Sequence, residues 1–393
     1  MPSAFDPHRE RGRALVRLHP DILHLIGPRP VTALWIAAVA TAHLGLAAAF
    51  AGHRWWVWTS GAYAIGSVLN LALWTLLHEC THDLVFRRQR ANCWLGIVAG
   101  LPLGLPVASA FRNGHLLHHR HPDHPVYDID VPSAWEARWV GRSAWRKAVW
   151  LWFGAALQAL RSFRIKDRAI YDRWYLATLA AQAAFDALVV FAFGWQALAY
   201  LLASTAFAVG LHPLGGRLIQ EHYAIGNVRR TASYYGPLNR LVFNAGYHHE
   251  HHDLMRVPWM DLPKLRRIAP EFYRDLPAHT SWTALVIRFI RDPALGPDCR
   301  LAAAPRKRAR DQERGHCRPR PDQPARAARG MAARAQLSRA PRADPCRSGR
   351  AGADRGRLDR MAGGDRGARR RAGARGDERR VRGARGQASS GAG

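Results

Sequence analysis

Four apolar stretches limit what this chain can fold into, because each is close to the about 20 residues a helix needs to cross a bilayer. They cover residues 31–51, 55–77, 174–193 and 195–211, and the first two contain no Asp, Glu, Lys or Arg. A buried hairpin in a large soluble protein can read similarly. Here two such pairs occur, and their links are only Gly52-His53-Arg54 and Gly194. Each pair therefore reads as a helical hairpin that dips into a membrane and returns. Trp55, Trp56, Trp58 and Trp195 gather at those turns, where an aromatic belt belongs. Arg9, Arg11, Arg13 and Arg17 precede the first span, and Arg87, Arg88 and Arg90 follow the second. The positive-inside rule then predicts both termini and the long central segment on the cytoplasmic side.

Two weaker segments lie between the hairpins. Residues 93–110 are apolar but broken by Gly100, Pro102, Gly104 and Pro106, which predicts a re-entrant or interfacial piece. Residues 144–163 mix Trp145, Trp150, Trp152 and Phe153 with Arg146, Lys147 and Arg161, as expected of a helix lying on a membrane surface. Asp186, inside the third span beside Gln182, reads equally as a functional acid or as a group facing the bundle.

The ends differ in kind from this body. Residues 1–30 are polar, with no apolar run of the sort a cleavable signal peptide carries, and are expected to form a cytoplasmic leader. Residues 31–297 are expected to form the membrane domain. Residues 298–393 are expected to be a disordered tail. From Ala303 on there is no Phe, Trp, Tyr or Ile, and 26 Arg and Lys stand against 9 acids, a large share of the net charge of +29. Such a segment cannot bury a core. Its Arg, Ala, Gly and Pro also match a GC-rich reading frame, so no specific nucleic-acid partner is inferred. The five cysteines form no paired framework or CxxC motif.

The 20 histidines carry the chemistry. His78 and His82 form HxxxH, His115, His118 and His119 form HxxHH, and His248, His251 and His252 form a second HxxHH. His222 follows the fourth span. Residues three and four apart share one helical face, so each box presents its imidazoles toward one point. Imidazole is a good ligand for iron, copper, nickel or zinc, and so many rings exceed the needs of one ion. All boxes fall on one predicted side of the membrane, where distant segments can meet. A site beside lipid invites lipid as substrate. Unactivated C–H bonds of an acyl chain need a redox metal with O2 rather than acid–base side chains.

Other readings account for less. His78-Glu79-Cys80-Thr81-His82 also matches the HExxH of zinc proteases, but a protease leaves both HxxHH boxes unexplained. A metal carrier or channel explains the histidines but not their shared side. His212-Pro213-Leu214-Gly215-Gly216 differs from a haem-binding HPGG by an inserted leucine, and no haem domain surrounds it. Electrons are therefore expected from a separate protein.

With these boxes in view, the chain resembles the membrane fatty-acid desaturase superfamily, and most closely its sphingolipid Δ4-desaturase branch. The likeness is sharpest from Ser233 to Asn239, from Asn244 to Asp253, and at His212-Pro213, Glu221-His222-Tyr223 and Leu276 to Trp282. The resemblance implies an all-α integral membrane fold, with four transmembrane helices in two hairpins beneath a cytoplasmic histidine-rich helical cap. It implies two iron ions, O2, and a cytochrome b5- or ferredoxin-type donor with its reductase. It carries His78, His82, His115, His118, His119, His222, His248, His251 and His252 over as ligands. The membrane is the inner one if the source is bacterial, and the endoplasmic reticulum if eukaryotic. Asp83, His249 and Arg217 depart from the branch, at positions where asparagine, asparagine and histidine are common. Related members hydroxylate instead of desaturating, or act on free, CoA-bound or glycerolipid acyl chains, so the lipid stays open.

Overall fold

The computed structural model describes residues 6–164, 171–226 and 231–300. Helix α1 (Pro7–Leu18) is started by the Asp6 carboxylate, which accepts from the backbone N–H of His8 and Arg9. Helix α2 (Val31–Phe50) is apolar on every side and ends where Ala51 turns extended before Gly52. After that turn come α3 (Trp55–Gly61), a π-helical turn (Ala62–Gly66) and α4 (Ser67–Thr81), one continuous rod of 27 residues. Gly66 is where this rod meets the later helix α11. A Cβ there would lie 2.1 Å from the Ser204 hydroxyl, so only glycine fits.

Helices α5 (Gln89–Gly100) and α6 (Ala108–Arg120) follow, then α7 (Ala134–Val140), α8 (Ala144–Trp152) and α9 (Gly154–Ser162). The second hairpin is α10 (Arg173–Phe193) and α11 (Trp195–Ala208). The remaining helices are α12 (Gly216–His222), α13 (His248–Asp253), α14 (Leu262–Ile268) and α15 (Trp282–Arg291).

Three helical rods among the described residues are long and apolar enough to cross a membrane: Val31–Phe50, Trp55–Thr81 and Arg173–Phe193. The outer two are only 17% buried over their most apolar window, against 61% for the central rod. Leu34, Leu176, Leu188 and Phe191 point outward from them, as lipid-facing side chains do. The expected fourth span is shorter than its hydropathy suggests. It stops at Ala208 and, after a 49° bend, resumes as Pro213–His222. His212 explains the break: its Nδ1 accepts the Leu214 N–H at 3.2 Å, and Pro213 has no N–H to continue a helix. The predicted re-entrant piece is likewise a bent pair, Gln89–Leu103 and Ala108–Arg120, folded through 112° at Gly104, whose φ is +69°. Counting each bent pair as one span gives up to five, so the plain four-span pattern is modified at both places.

The all-α expectation has one small exception. Ser233–Tyr234 and Ala278–His279 form a two-residue parallel pair, β1 and β2. The core beneath the histidines is built by Ile36, Leu73, Leu76, Leu77, Ile97 and Leu103, from α2, α4, α5 and the turn after it. Asp186 accepts from Gln182 at 2.8 Å, and Gln182 also donates to the Leu101 carbonyl, the bundle-facing alternative for that acid.

The leader is part of the body. Leu15 and Ile22 are fully buried against Val257, Leu262, Leu265 and Tyr273. At the other end the expected boundary at residue 297 falls inside packed structure. Cys299 is buried, and the buried Arg300 guanidinium lies 3.1 Å from the Asp128 carboxylate. The expectation of disorder from residue 301 onward falls outside the described residues.

Breaking a buried ion pair leaves one charge uncompensated and costs about 3–5 kcal/mol. A chain ending at Pro297 is therefore expected to melt well below the full chain, whereas one ending at residue 302 keeps the pair. Thermal unfolding in detergent checks this; equal melting of all three chains would contradict the packing of Arg300.

Candidate metal centre

Each histidine is placed by a short helix or a helix end. His78 lies on the last turn of α4, and His82 caps that helix. The free carbonyls there are met by Arg112 of α6, whose guanidinium donates to the Cys80 and Thr81 carbonyls, both at 2.8 Å, and to Asp83 at 3.0 Å. Asp83 has φ +58°, a left-handed conformation that Asp and Asn tolerate, so an aspartate suits the position.

The nine predicted histidines come together in two groups. In the first, one ring nitrogen from each of His78, His82, His115, His119 and His251 lies within 4.8 Å of every other. In the second, His118, His222 and His252 meet the same limit. His248 joins it with its Nε2 2.9 Å from the Nε2 of His222. The HxxHH spacing divides each box between the groups. His115 and His119, one helical turn apart, enter the first while His118 enters the second. In α13 the division is reversed, with His251 in the first group and His248 and His252 on the other side.

Within the first group the Nε2 atoms of His78 and His251, His82 and His115, His115 and His119, and His119 and His251 lie 2.9–3.1 Å apart. Two nitrogens about 2.1 Å from one ion, at a right angle to each other, have a separation close to this. Lone pairs from several rings pointing at one place suit a cation better than one another. The buried Nε2 of His252 has no hydrogen-bond partner in the protein. The donor set therefore fits two metal ions, all nitrogen and no thiolate, as iron, copper, nickel or zinc accept.

Carboxylates hold the rings from behind. His118 Nδ1 is 2.8 Å from Asp128, which also takes Arg300 and the backbone N–H of Asp123. Glu221 is 3.8 Å from His248 Nδ1, and Asp123 is 3.9 Å from His222 Nδ1. The hydrogen-bonded Asp128 orients the His118 imidazole and raises its basicity as a ligand, while Glu221 and Asp123 stand beyond hydrogen-bond distance of theirs. On the far face of α13, Glu250 accepts from the Ser233 hydroxyl at 2.9 Å and the Tyr235 hydroxyl at 2.7 Å. Burial pushes the Glu250 carboxyl up to about 7. The leader closes the same helix: His8 and Arg11 both meet Asp253 at 2.6 Å. Gly12 crosses it so closely that a Cβ would lie 2.3 Å from the Asp253 carbonyl oxygen. Asp128, Arg112, Arg300, His8 and Arg11 are the supporting residues that sequence reasoning missed. They stand at no helical spacing from the ligands they serve.

Comparison with known proteins meets this geometry. The fatty acid desaturase profile matches residues 53–284. A sphingolipid delta(4)-desaturase DES1-like protein of Oryza sativa subsp. japonica is 40% identical over 303 residues, 77% of this chain and 92% of the relative. The sphingolipid delta(4)-desaturase DES1 of Drosophila melanogaster is 38% identical over 299 residues, 75% of this chain and 92% of the relative. The sphingolipid delta(4)-desaturase/C4-monooxygenase DES2 of Bos taurus is 38% identical over 298 residues, 75% of this chain and 91% of the relative. The chain belongs to the fatty acid desaturase family.

In this desaturase an open cleft runs up to the rings. Its lining includes the aromatic Trp74, Phe111, Phe243 and Trp259 and the polar Asp130, Gln158, Arg217 and Glu221. Phe243 has φ +52°, a left-handed conformation that strains a bulky residue and is of the kind that collects at functional sites; Asn244 beside it, at +58°, tolerates it. Asn244 is held by its donation to the Trp259 carbonyl at 3.0 Å. Glu79, the general base a zinc protease requires, accepts the Trp259 N–H at 3.1 Å instead.

His249 falls outside the box spacing yet is packed into the site. It is buried, with Nδ1 2.9 Å from the Thr231 hydroxyl and Nε2 3.1 Å from the Pro277 carbonyl. His249→Ala is expected to cost about 2–3 kcal/mol, because it leaves buried partners unmet, while the exposed His121→Ala leaves melting unchanged. Equal melting of the two variants would contradict this.

The pH dependence follows from the same burial. Burial and then neighbouring charge push His251 down to about 3, and His248 and His252 are lowered in the same way. A histidine whose folded value is depressed takes up a proton in the unfolded chain first. Its stabilisation is complete above the ordinary value of 6.5 and falls as the pH drops toward 3. Metal-free protein is expected to melt progressively lower between pH 7.5 and 5; a flat profile there would contradict neutral, buried rings.

Proposed function

We propose that this desaturase introduces the Δ4 double bond of a sphingolipid long chain, using two iron ions held by His78, His82, His115, His118, His119, His222, His248, His251 and His252. The observation that carries the reading is the convergence of these nine imidazoles in two groups, with aromatic side chains lining the cleft beside them. The substrate class and position follow the relatives, which are sphingolipid delta(4)-desaturases. Bound iron supplies, with O2, the oxidation that an unactivated C–H bond requires.

The residues of the chain do the rest. Trp74, Phe111, Phe243 and Trp259 exclude water and hold the chain beside the rings. Asp128 fixes His118, and Arg112 fixes the end of the first box. The arginine asymmetry and short turns support two hairpins with the histidines on the cytoplasmic side. With no electron carrier recognisable in the sequence, a separate cytochrome b5- or ferredoxin-type donor and its reductase complete the system.

A second outcome has a specific observation behind it, since the bovine relative is named for both desaturase and C4-monooxygenase activity. The test is expression of the full chain with a reductase and carrier in a host of known lipid composition, followed by mass spectrometry of its lipids. A sphingolipid two hydrogens lighter is expected. Alanine at His78, His118, His222 or His251 should abolish that product. A product only one oxygen heavier contradicts desaturation.

A further inference from the structure

Helix α1 carries four arginines and one acid, Glu10, and the fold sorts the arginines by face. Arg11 turns inward to Asp253 of α13, while Arg9, Arg13 and Arg17 are exposed. Spaced four apart, these three form one stripe, opposite the buried Gly12 and Leu15. Among the described residues no carboxylate is ion-paired with any of them. Like charges one turn apart weaken a helix, and Arg9 also opposes the dipole of the first turn. Folding alone therefore gives no reason for the stripe. The positive-inside rule accounts for the number of arginines but not for their sharing one face.

Two observations say what meets the stripe. The first is where α1 lies. Its inner face crosses α13, the helix of the third histidine box, with Gly12 against the Asp253 carbonyl. His8, at the edge of that face, has a side chain 13% exposed and a ring centre 5.0 Å from that of His252. Its Nε2 lies 3.0 Å from the Thr231 hydroxyl, which also meets His249. His8 thus touches both solvent and the second histidine group. The second observation is the make-up of the outer face. A helix lying in a membrane surface inserts apolar side chains. In α1 Leu15 is buried in protein, and Leu18 alone of the apolar side chains is exposed. Such a face suits a water-soluble protein of opposite charge.

The reaction needs a partner of this kind. Taking two hydrogens from the lipid chain provides two of the four electrons that reduce O2 to two waters. The other two electrons, with two protons, come from outside, one from each of two carriers that are oxidised in turn. We propose that Arg9, Arg13 and Arg17 form the docking surface for an acidic one-electron carrier protein, which is thereby brought against His8 and the second histidine group. The inference rests on the proposed O2-dependent reaction and adds the place where its electron donor binds. Attraction between the stripe and an acidic carrier steers their encounter, and salt screens that attraction.

The test uses the full-length, iron-loaded protein in nanodiscs, with iron content and melting measured. The probes are two acidic carriers, the soluble haem domain of a cytochrome b5 and a [2Fe–2S] ferredoxin. At low salt, reversing all three charges in R9E/R13E/R17E is expected to slow carrier association about tenfold or more, with melting and iron content unchanged. The difference should fade at about 1 M salt, where the screening length is about 3 Å. Reversing the exposed Arg87 and Arg90 should leave association unchanged. Equal association by the triple variant and the unaltered protein, or binding of neither carrier, overturns the docking surface. A loss just as large in R87E/R90E overturns it too. A stripe that serves lipid would instead lower melting of the triple variant only in nanodiscs of anionic lipid, with carrier association intact, and that result also overturns it. Stripe-dependent carrier association with no O2-dependent lipid product contradicts the proposed reaction and leaves the docking surface standing.

Discussion

Nine imidazoles drawn from α4, α6, α12 and α13 share one small volume, and most of the surrounding structure serves to keep them there. Each buried ring nitrogen left without a partner costs about 1–3 kcal/mol, and neighbouring rings resist protonation together. Crowding of this kind is unfavourable for bare protein and becomes favourable when cations take the lone pairs. Metal binding to these rings would be coupled to folding of the segments that carry them.

The supports make sense against that cost. Asp128, itself held by Arg300 and the Asp123 backbone, keeps His118 turned toward the second group. Arg112 ties the end of the first box to the helix of the second. The leader helix closes on α13 through His8, Arg11 and Gly12, so a segment far away in sequence holds the third box in position. The apolar rods bring these pieces to one level. They also leave outward-facing leucines and phenylalanines suited to lipid.

Much of this was legible in the sequence because it rests on local periodicity. Apolar runs of bilayer length gave three rods, and the i, i+3, i+4 spacing gave the faces of the boxes. The same reasoning stopped where tertiary contacts decide. His212-Pro213 shortens the fourth apolar run through a cap and a missing N–H, details that hydropathy averages away. Arg300 looked like the first residues of a featureless tail, yet its partner is Asp128, far back in the chain. His249 falls outside the box spacing, and its burial against Thr231 and Pro277 is a property of the folded loop that spacing does not carry. The division of each HxxHH box between two groups was also invisible, since spacing shows a shared face but not which neighbour it meets.

Metal content of the purified full-length protein, taken with X-ray absorption at the iron edge, tests the centre most directly. The nine-imidazole arrangement predicts about two irons per chain in a nitrogen-rich shell, with iron falling when His115 or His252 is changed to alanine. One zinc per chain, or iron whose nearest shell is sulfur or mainly carboxylate oxygen, would contradict it.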